Sequence, residues 1–100
     1  MTLKKVCDNR NLTITLEGWL DNFTSPDLGR ELELISDIDK LILDFEKLEY
    51  ISSAGLRQIA FAGKKVKAIG ADFEIINVGQ EVMSVLKLTG FDKKFKIAAK

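Results

Sequence analysis

The apolar run Leu41-Ile42-Leu43-Asp44-Phe45 is followed by a helix-periodic segment and then by a second apolar run, Phe73-Glu74-Ile75-Ile76-Asn77-Val78. This order constrains the fold more than any other feature. A short, nearly unbroken apolar run is the pattern of a strand covered on both faces, as in the interior of a parallel or mixed sheet. Between the runs, Leu56, Ile59, Ala60, Gly63 and Val66 recur at three- and four-residue steps, which predicts a helix. A strand, a crossover helix and a second strand can pair only in parallel, because the connection is far too long for a hairpin. Ala60 and Gly63 are expected to let the helix approach the sheet, with Arg57, Lys64 and Lys65 facing water. Gly70 is expected to end it.

The flanking segments extend this unit. Residues 3–8 and 11–17 predict a hairpin: Leu12, Ile14 and Leu16 alternate with Thr13, Thr15 and Glu17, and Asp8-Asn9-Arg10-Asn11 supplies turn residues. Gly18 is expected to break the second strand. Thr24-Ser25-Pro26-Asp27 then offers a capping hydroxyl, a proline suited to the first helical turn and an acid near the helix start. The helix that follows carries an apolar stripe of Leu28, Leu32 and Ile35. Gly79-Gln80 opens a third helix with Val82, Val85 and Leu86 inward and Thr89-Gly90 at its close. Lys94-Phe95-Lys96-Ile97 is expected to be a short edge strand. The whole is a single α/β domain over residues 1–100, a mixed β-sheet with helices packed on it.

Composition excludes several function classes. The 100 residues carry 15 Lys+Arg and 15 Asp+Glu, so there is no basic excess to grip a phosphate backbone, and no nucleic-acid partner is expected. Lys64, Lys65 and Lys67 fit the solvated side of a helix. The chain has no histidine, which removes the commonest general base and metal ligand. With one cysteine, Cys7, there is no internal disulfide and no paired-cysteine metal spacing, and in a strand a lone cysteine acts as a small hydrophobe. No stretch has the length of a membrane helix, and no apolar leader follows Met1. The expectation is a cytoplasmic protein without membrane insertion, cofactor or enzymatic activity. Gly63-Lys64-Lys65 lacks the earlier glycine and the hydroxyl residue of a phosphate-binding loop. Asp44 and Glu46 have no catalytic companions and are expected to be solubilising charges at a strand end.

One segment asks for chemistry. Ser52-Ser53-Ala54-Gly55-Leu56 places two hydroxyls between a central strand and a helix. The first turn of a helix presents unpaired N–H groups and about half a positive charge, so a phosphate installed there is stabilised and faces solvent. A serine in that position also serves simply as an N-cap, a role contributing about 1 kcal/mol.

The run Leu41–Phe45 with Leu48, Ile51 and Ser52-Ser53-Ala54-Gly55-Leu56 resembles the core motif of STAS domains, most closely the bacterial anti-sigma factor antagonists. Gly18-Trp19-Leu20-Asp21 is similar to the family's turn before the first helix. Ile69-Gly70-Ala71 resembles its turn into the next strand, and Val82 through Gly90-Phe91 its third helix. The resemblance spans residues 12 to 97. It implies a STAS-like fold, without the C-terminal helix common in the family, and a partner-switching role. Such proteins bind an anti-sigma factor that is also a GHKL-type serine kinase, are phosphorylated by it with ATP, and then let go; a serine phosphatase would reset them. Alignment on Gly55-Leu56 places the acceptor on Ser53, with Ser52 as the alternative. Ser52 stands where the family usually has an acid and Ala54 where it usually has a serine. The resemblance also admits a STAS subunit docked without phosphorylation on a larger complex, such as a lipid-transport ATPase.

The partner surface expected from this resemblance comprises Asp21, Asn22 and Thr24 beside the acceptor, then Ser52, Ser53, Ala54, Gly55 and Arg57. Phe61 falls away from the apolar stripe of its helix, so it is either packed on a neighbouring element, the favoured expectation, or exposed as an anchor. Trp19 is expected to be partly buried in its loop.

Overall fold

The computed structural model describes residues 1–100. Five strands form one sheet in the order β1-β2-β3-β4-β5: β1 (Thr2–Asp8), β2 (Asn11–Leu20), β3 (Lys40–Ile51), β4 (Asp72–Val78) and β5 (Lys96–Ala99). β1 runs antiparallel to β2 and every other pairing is parallel, so the sheet is mixed as expected. The helices are α1 (Ser25–Glu33), α2 (Ser53–Ala68), α3 (Gln80–Leu88) and α4 (Phe91–Lys94).

The apolar run that led the sequence argument is indeed the central strand, but β3 continues beyond it to Ile51. Ile14, Leu16, Leu41, Leu43, Phe45 and Ile75 lie on one sheet face and join Leu28, Leu32, Ile59, Ala62, Val66, Val82 and Leu86 from the helices in one core. The opposite face carries Thr13, Thr15, Ile42, Asp44, Glu74 and Ile76, all half-buried. Glu74 there meets Lys40 at 3.0 Å and Lys96 at 3.4 Å.

Local chemistry explains most boundaries. The β1–β2 turn uses Asn9 and Arg10, both at positive φ, and Arg10 Nε is 3.1 Å from Asp39 Oδ1, which ties the turn to the start of β3. Gly70 and Gly90 end α2 and α3 in the left-handed region, as expected.

Several expectations need correction. Gly18 does not end β2: it takes φ +98 within the strand, between two irregularities of register, and pairing resumes at Trp19 and Leu20. The small residues that α2 buries are Gly55 and Ala62 rather than Ala60, and Gly63 faces the Phe95 ring. Asp44 is no solubilising charge at a strand end. Its Oδ1 accepts from Asn77 Nδ2 at 3.1 Å, joining β3 to β4, and from the Glu46 N–H at 3.0 Å. Phe91–Lys94 form the short helix α4, so the edge strand starts later, at Lys96. Cys7 is exposed on β1 instead of acting as a buried hydrophobe.

Candidate functional site

The C-terminal ends of β2 and β3 lie side by side, with Trp19 paired to Tyr50 and Leu20 to Ile51. The segments leaving this end of a parallel sheet are held by rigid strands and free to vary in side chain. Here they are the Asp21–Thr24 loop and the entry into α2.

The two serines of that entry have different occupations. Ser52 is the N-cap of α2: its backbone is extended, and its Oγ accepts the Gly55 N–H at 3.4 Å. Its own N–H donates to the Leu20 carbonyl at 2.9 Å, and its carbonyl accepts from Leu56 at 2.9 Å. Ser53 is the first residue of the helix and is exposed, and its hydroxyl enters no hydrogen bond within the chain. Ala54 behind it is half-buried. The Ser53 and Ala54 N–H groups have no intrahelical acceptor, and the first turn of α2 holds no acid to offset the positive end of the helix.

Gly55 fixes how close this helix start lies to the sheet. A Cβ there would stand 2.8 Å from Ile51 Cγ1, 2.9 Å from Leu20 Cγ and 2.9 Å from the Leu20 carbonyl oxygen. No larger residue fits without moving the first turn of α2 away from β2.

The adjoining loop is braced by Asp21. Its Oδ1 accepts from the Phe23 N–H at 3.0 Å and the Thr24 N–H at 3.1 Å. Thr24 Oγ1 accepts from the Asp21 N–H at 2.9 Å and lies 2.7 Å from the Trp19 carbonyl and 3.1 Å from Asp21 Oδ1. Desolvation pushes the Asp21 carboxyl upward, but the hydrogen bonds from Thr24 and Phe23 outweigh it and hold the group below its ordinary value. The expected capping role of Thr24 is therefore corrected: its side chain makes no cap bond to α1, because its hydroxyl is used inside the loop.

Asp21, Asn22 and Ser52 meet around a shallow depression of about 250 Å³ whose other walls are Trp19, Phe23 and Tyr50. Thr24 is not among the walls. The three rings form an exposed aromatic group: Trp19 lies 5.0 Å from Tyr50 between ring centroids, and Phe23 is 90% exposed. Trp19, expected to be partly buried, is 56% exposed, because continuation of β2 through Gly18 gives the inward place to Leu20. Phe23 and Tyr50 escaped the sequence reasoning altogether. The only signal was an aromatic residue in a polar loop and another beside a glutamate at a strand end.

Arg57 is exposed one turn beyond Ser53 and has no ion-pair partner in the chain. Phe61, a further turn along the same helix face, is 36% exposed, which corrects the expectation that it packs inward. α2 fills its core positions with Gly55, Ile59, Ala62 and Val66 and leaves Phe61 on the flank. No group of His, Cys, Asp and Glu lies close enough to hold a metal ion. No helix is long and apolar enough to cross a membrane.

A mixed sheet with its helices gathered on one side and an exposed, partly aromatic surface at the strand ends defines a small α/β domain. The sequence matches the STAS domain family over residues 2–100, and the chain belongs to that family. A curated relative is BtrV of Bordetella bronchiseptica, named for a proposed role as an anti-sigma factor antagonist. It is 30% identical over 91 residues, covering 87% of this chain and 77% of BtrV. An anti-sigma factor antagonist from Mycobacterium paratuberculosis superposes with a TM-score of 0.88 at 23% identity, covering 99% of this chain and 86% of that one. The Bacillus antagonist SpoIIAA, in its unphosphorylated form, gives a TM-score of 0.78 at 14% identity over 99% of this chain and 88% of its own. The expected STAS-like fold is the observed one. The described chain closes on β5, with no long C-terminal helix.

Proposed function

We propose that this chain is an anti-sigma factor antagonist of the switching kind. In its unphosphorylated form it binds a GHKL-type serine-kinase anti-sigma factor, and phosphorylation of Ser53 releases it. The observation that carries this reading is the division between neighbouring hydroxyls: Ser52 caps α2 while Ser53 faces solvent with its hydroxyl unbonded. The Ser53 oxygen attacks the γ-phosphorus of ATP held by the kinase, ADP departs, and the serine proton passes to a base on the kinase. The antagonist is substrate and ligand rather than enzyme. It works in the cytoplasm, where ATP is supplied, and a serine phosphatase restores it.

Electrostatics supports the direction of the switch. A phosphate adds about −1.5 to −2 charge at neutral pH. On the free chain that charge sits at the positive end of α2, one turn from Arg57 and with no acid in the first turn, so it is well tolerated. Pressed into a contact formed by Trp19, Asp21, Asn22, Phe23, Tyr50, Ala54, Arg57 and Phe61, the same hydrated group would be stripped of water and the interface would weaken.

The test is incubation with the kinase and ATP followed by intact mass measurement. Wild type and Ser52→Ala should each gain one phosphate and Ser53→Ala none, while Ser53→Ala still binds the kinase. Unchanged labelling of Ser53→Ala would move the acceptor elsewhere. Ser53→Asp should bind the unphosphorylated form's partner more weakly, and equal affinity would count against release by charge. Recovery from cells in a stable complex with a transporter ATPase, with no phosphate on the chain, would select the docked-subunit role instead.

A further inference from the structure

β1 is an edge of the sheet, with β2 as its only strand neighbour. Because Asn9 and Arg10 form a two-residue turn at positive φ, Asp8 and Asn11 are the closing hydrogen-bonded pair of the hairpin. Alternation along an antiparallel ladder then commits the backbone groups of Asp8, Val6, Lys4 and Thr2 to β2 and points those of Leu3, Lys5 and Cys7 out of the sheet. Such an edge is a template for one more strand unless its side chains forbid pairing.

The side chains of β1 divide by face. Leu3 packs against the core, and Lys5 Nζ lies 2.6 Å from Glu31 Oε2 of α1. Thr2, Lys4, Val6 and Asp8 occupy the face without helices. There Val6 is 65% exposed, and Lys4 and Asp8, two residues to either side of it, are exposed and enter no salt bridge within the chain. The face thus reads cation, valine, anion, which is self-complementary when the strand is turned end for end about Val6.

We propose that β1 pairs antiparallel with β1 of a second copy of this chain, about a two-fold axis through Val6. Val6 then faces Val6, and each Lys4 faces an Asp8 of the other copy. Both chains bring their outward-pointing Lys5 and Cys7 backbone groups into register, so the ladder hydrogen bonds form. Charge discriminates against the alternatives. Centring on Lys5 sets Lys5 against Lys5 and Lys4 against Val6; centring on Lys4 sets two Lys4 ammonium groups together; centring on Cys7 sets Val6 against Asp8. The Val6-centred pairing satisfies two ion pairs and covers two exposed valines. One added strand pair is a small contact, so association is reversible and depends on concentration. The proposal is independent of the switch at Ser53.

Sedimentation velocity on the full chain from about 10 μM to about 1 mM spans the dissociation constants expected for so small a contact. The weight-average mass should rise toward the dimer. Lys4→Glu and Asp8→Lys should each weaken association by about fivefold, the scale of two exposed ion pairs, and the double variant should recover it. In a Cys7→Ser background, Val6→Cys should oxidise to a disulfide dimer, because facing residues of a non-hydrogen-bonded pair are about 4.5 Å apart at Cα. Lys5→Cys, offset by two residues from its own copy, should cross-link about tenfold more slowly. A wild-type monomer at the highest concentration, equal cross-linking at both positions, or a dimer indifferent to the charge exchange would each overturn the pairing.

Discussion

Replacing Gly55 by alanine places a methyl carbon 2.8 Å from Ile51 Cγ1 and 2.9 Å from both Leu20 Cγ and the Leu20 carbonyl oxygen. Carbon contacts are optimal at ~3.5–4.0 Å, so the added atom is short of its minimum by roughly 0.7 Å on three sides. The Leu20 carbonyl belongs to the backbone of a fully buried residue and receives the Ser52 N–H, so it cannot turn aside. Strain of this kind costs about 1–3 kcal/mol, and the helix propensity of alanine over glycine returns at most about 1 kcal/mol. A net loss of about 1–2 kcal/mol corresponds to a fall of roughly 1 M in the urea midpoint, with an unchanged slope, for a domain this small. Gly29→Ala in α1 is the internal control. Its methyl would meet only the Gln58 side-chain amide, with Oε1 at 3.0 Å, the far end of a flexible side chain that can give way. It should lie within about 0.5 kcal/mol of wild type. A Gly55→Ala protein as stable as wild type, or less damaged than Gly29→Ala, would refute the claim that a backbone wall sets the position of α2.

Three further outcomes are expected. Ser52→Ala should lower stability by about 0.5–1 kcal/mol through loss of a long cap bond, whereas Ser53→Ala should stay within about 0.5 kcal/mol, as judged by thermal melting. Phe23→Ala should leave the urea midpoint unchanged, because the ring is 90% exposed, yet weaken binding to the anti-sigma factor by about tenfold or more in calorimetry. Asp21 has a carboxyl pKa lowered from the ordinary 3.8 in the folded state, so its contribution is complete above that value and is lost as pH falls through the lower folded-state value. Asp21→Asn should therefore flatten the acid limb of the stability curve below about pH 4 and leave the slope near neutrality unaltered.

The parts of this fold that the sequence made legible are those where one local preference decides. An apolar run such as Leu41–Phe45 has few homes other than a central strand, and Gly70 and Gly90 take the left-handed backbone that stops a helix. Other outcomes depended on atoms distant in sequence. Ser52 or Ser53 could each have capped α2, and the choice rests on a hydrogen bond from Ser52 to Leu20, a residue of another strand. Thr24 and Asp21 are both good capping types, and the aspartate bound the loop while the threonine hydroxyl turned back toward Trp19. The aromatic group of Trp19, Phe23 and Tyr50 was invisible because β2 keeps its alternation through Gly18 to Leu20, leaving Trp19 outward, while extra residues in β3 at two register shifts move its inward positions from Phe45 to Leu48 and Ile51 and leave Tyr50 beside Trp19. Asp44 looked like a solvated charge because its partner, Asn77, is 33 positions away.

Adjacent serines at the mouth of α2 answer to different masters. A change at position 52 is felt by every molecule each time it folds, since the cap there holds the helix whether or not anything is bound. A change at position 53 alters only what the surrounding water and visiting proteins encounter. On the proposed role, a change at the second position would cost the switch and spare the scaffold, while the first is anchored by the scaffold's own needs.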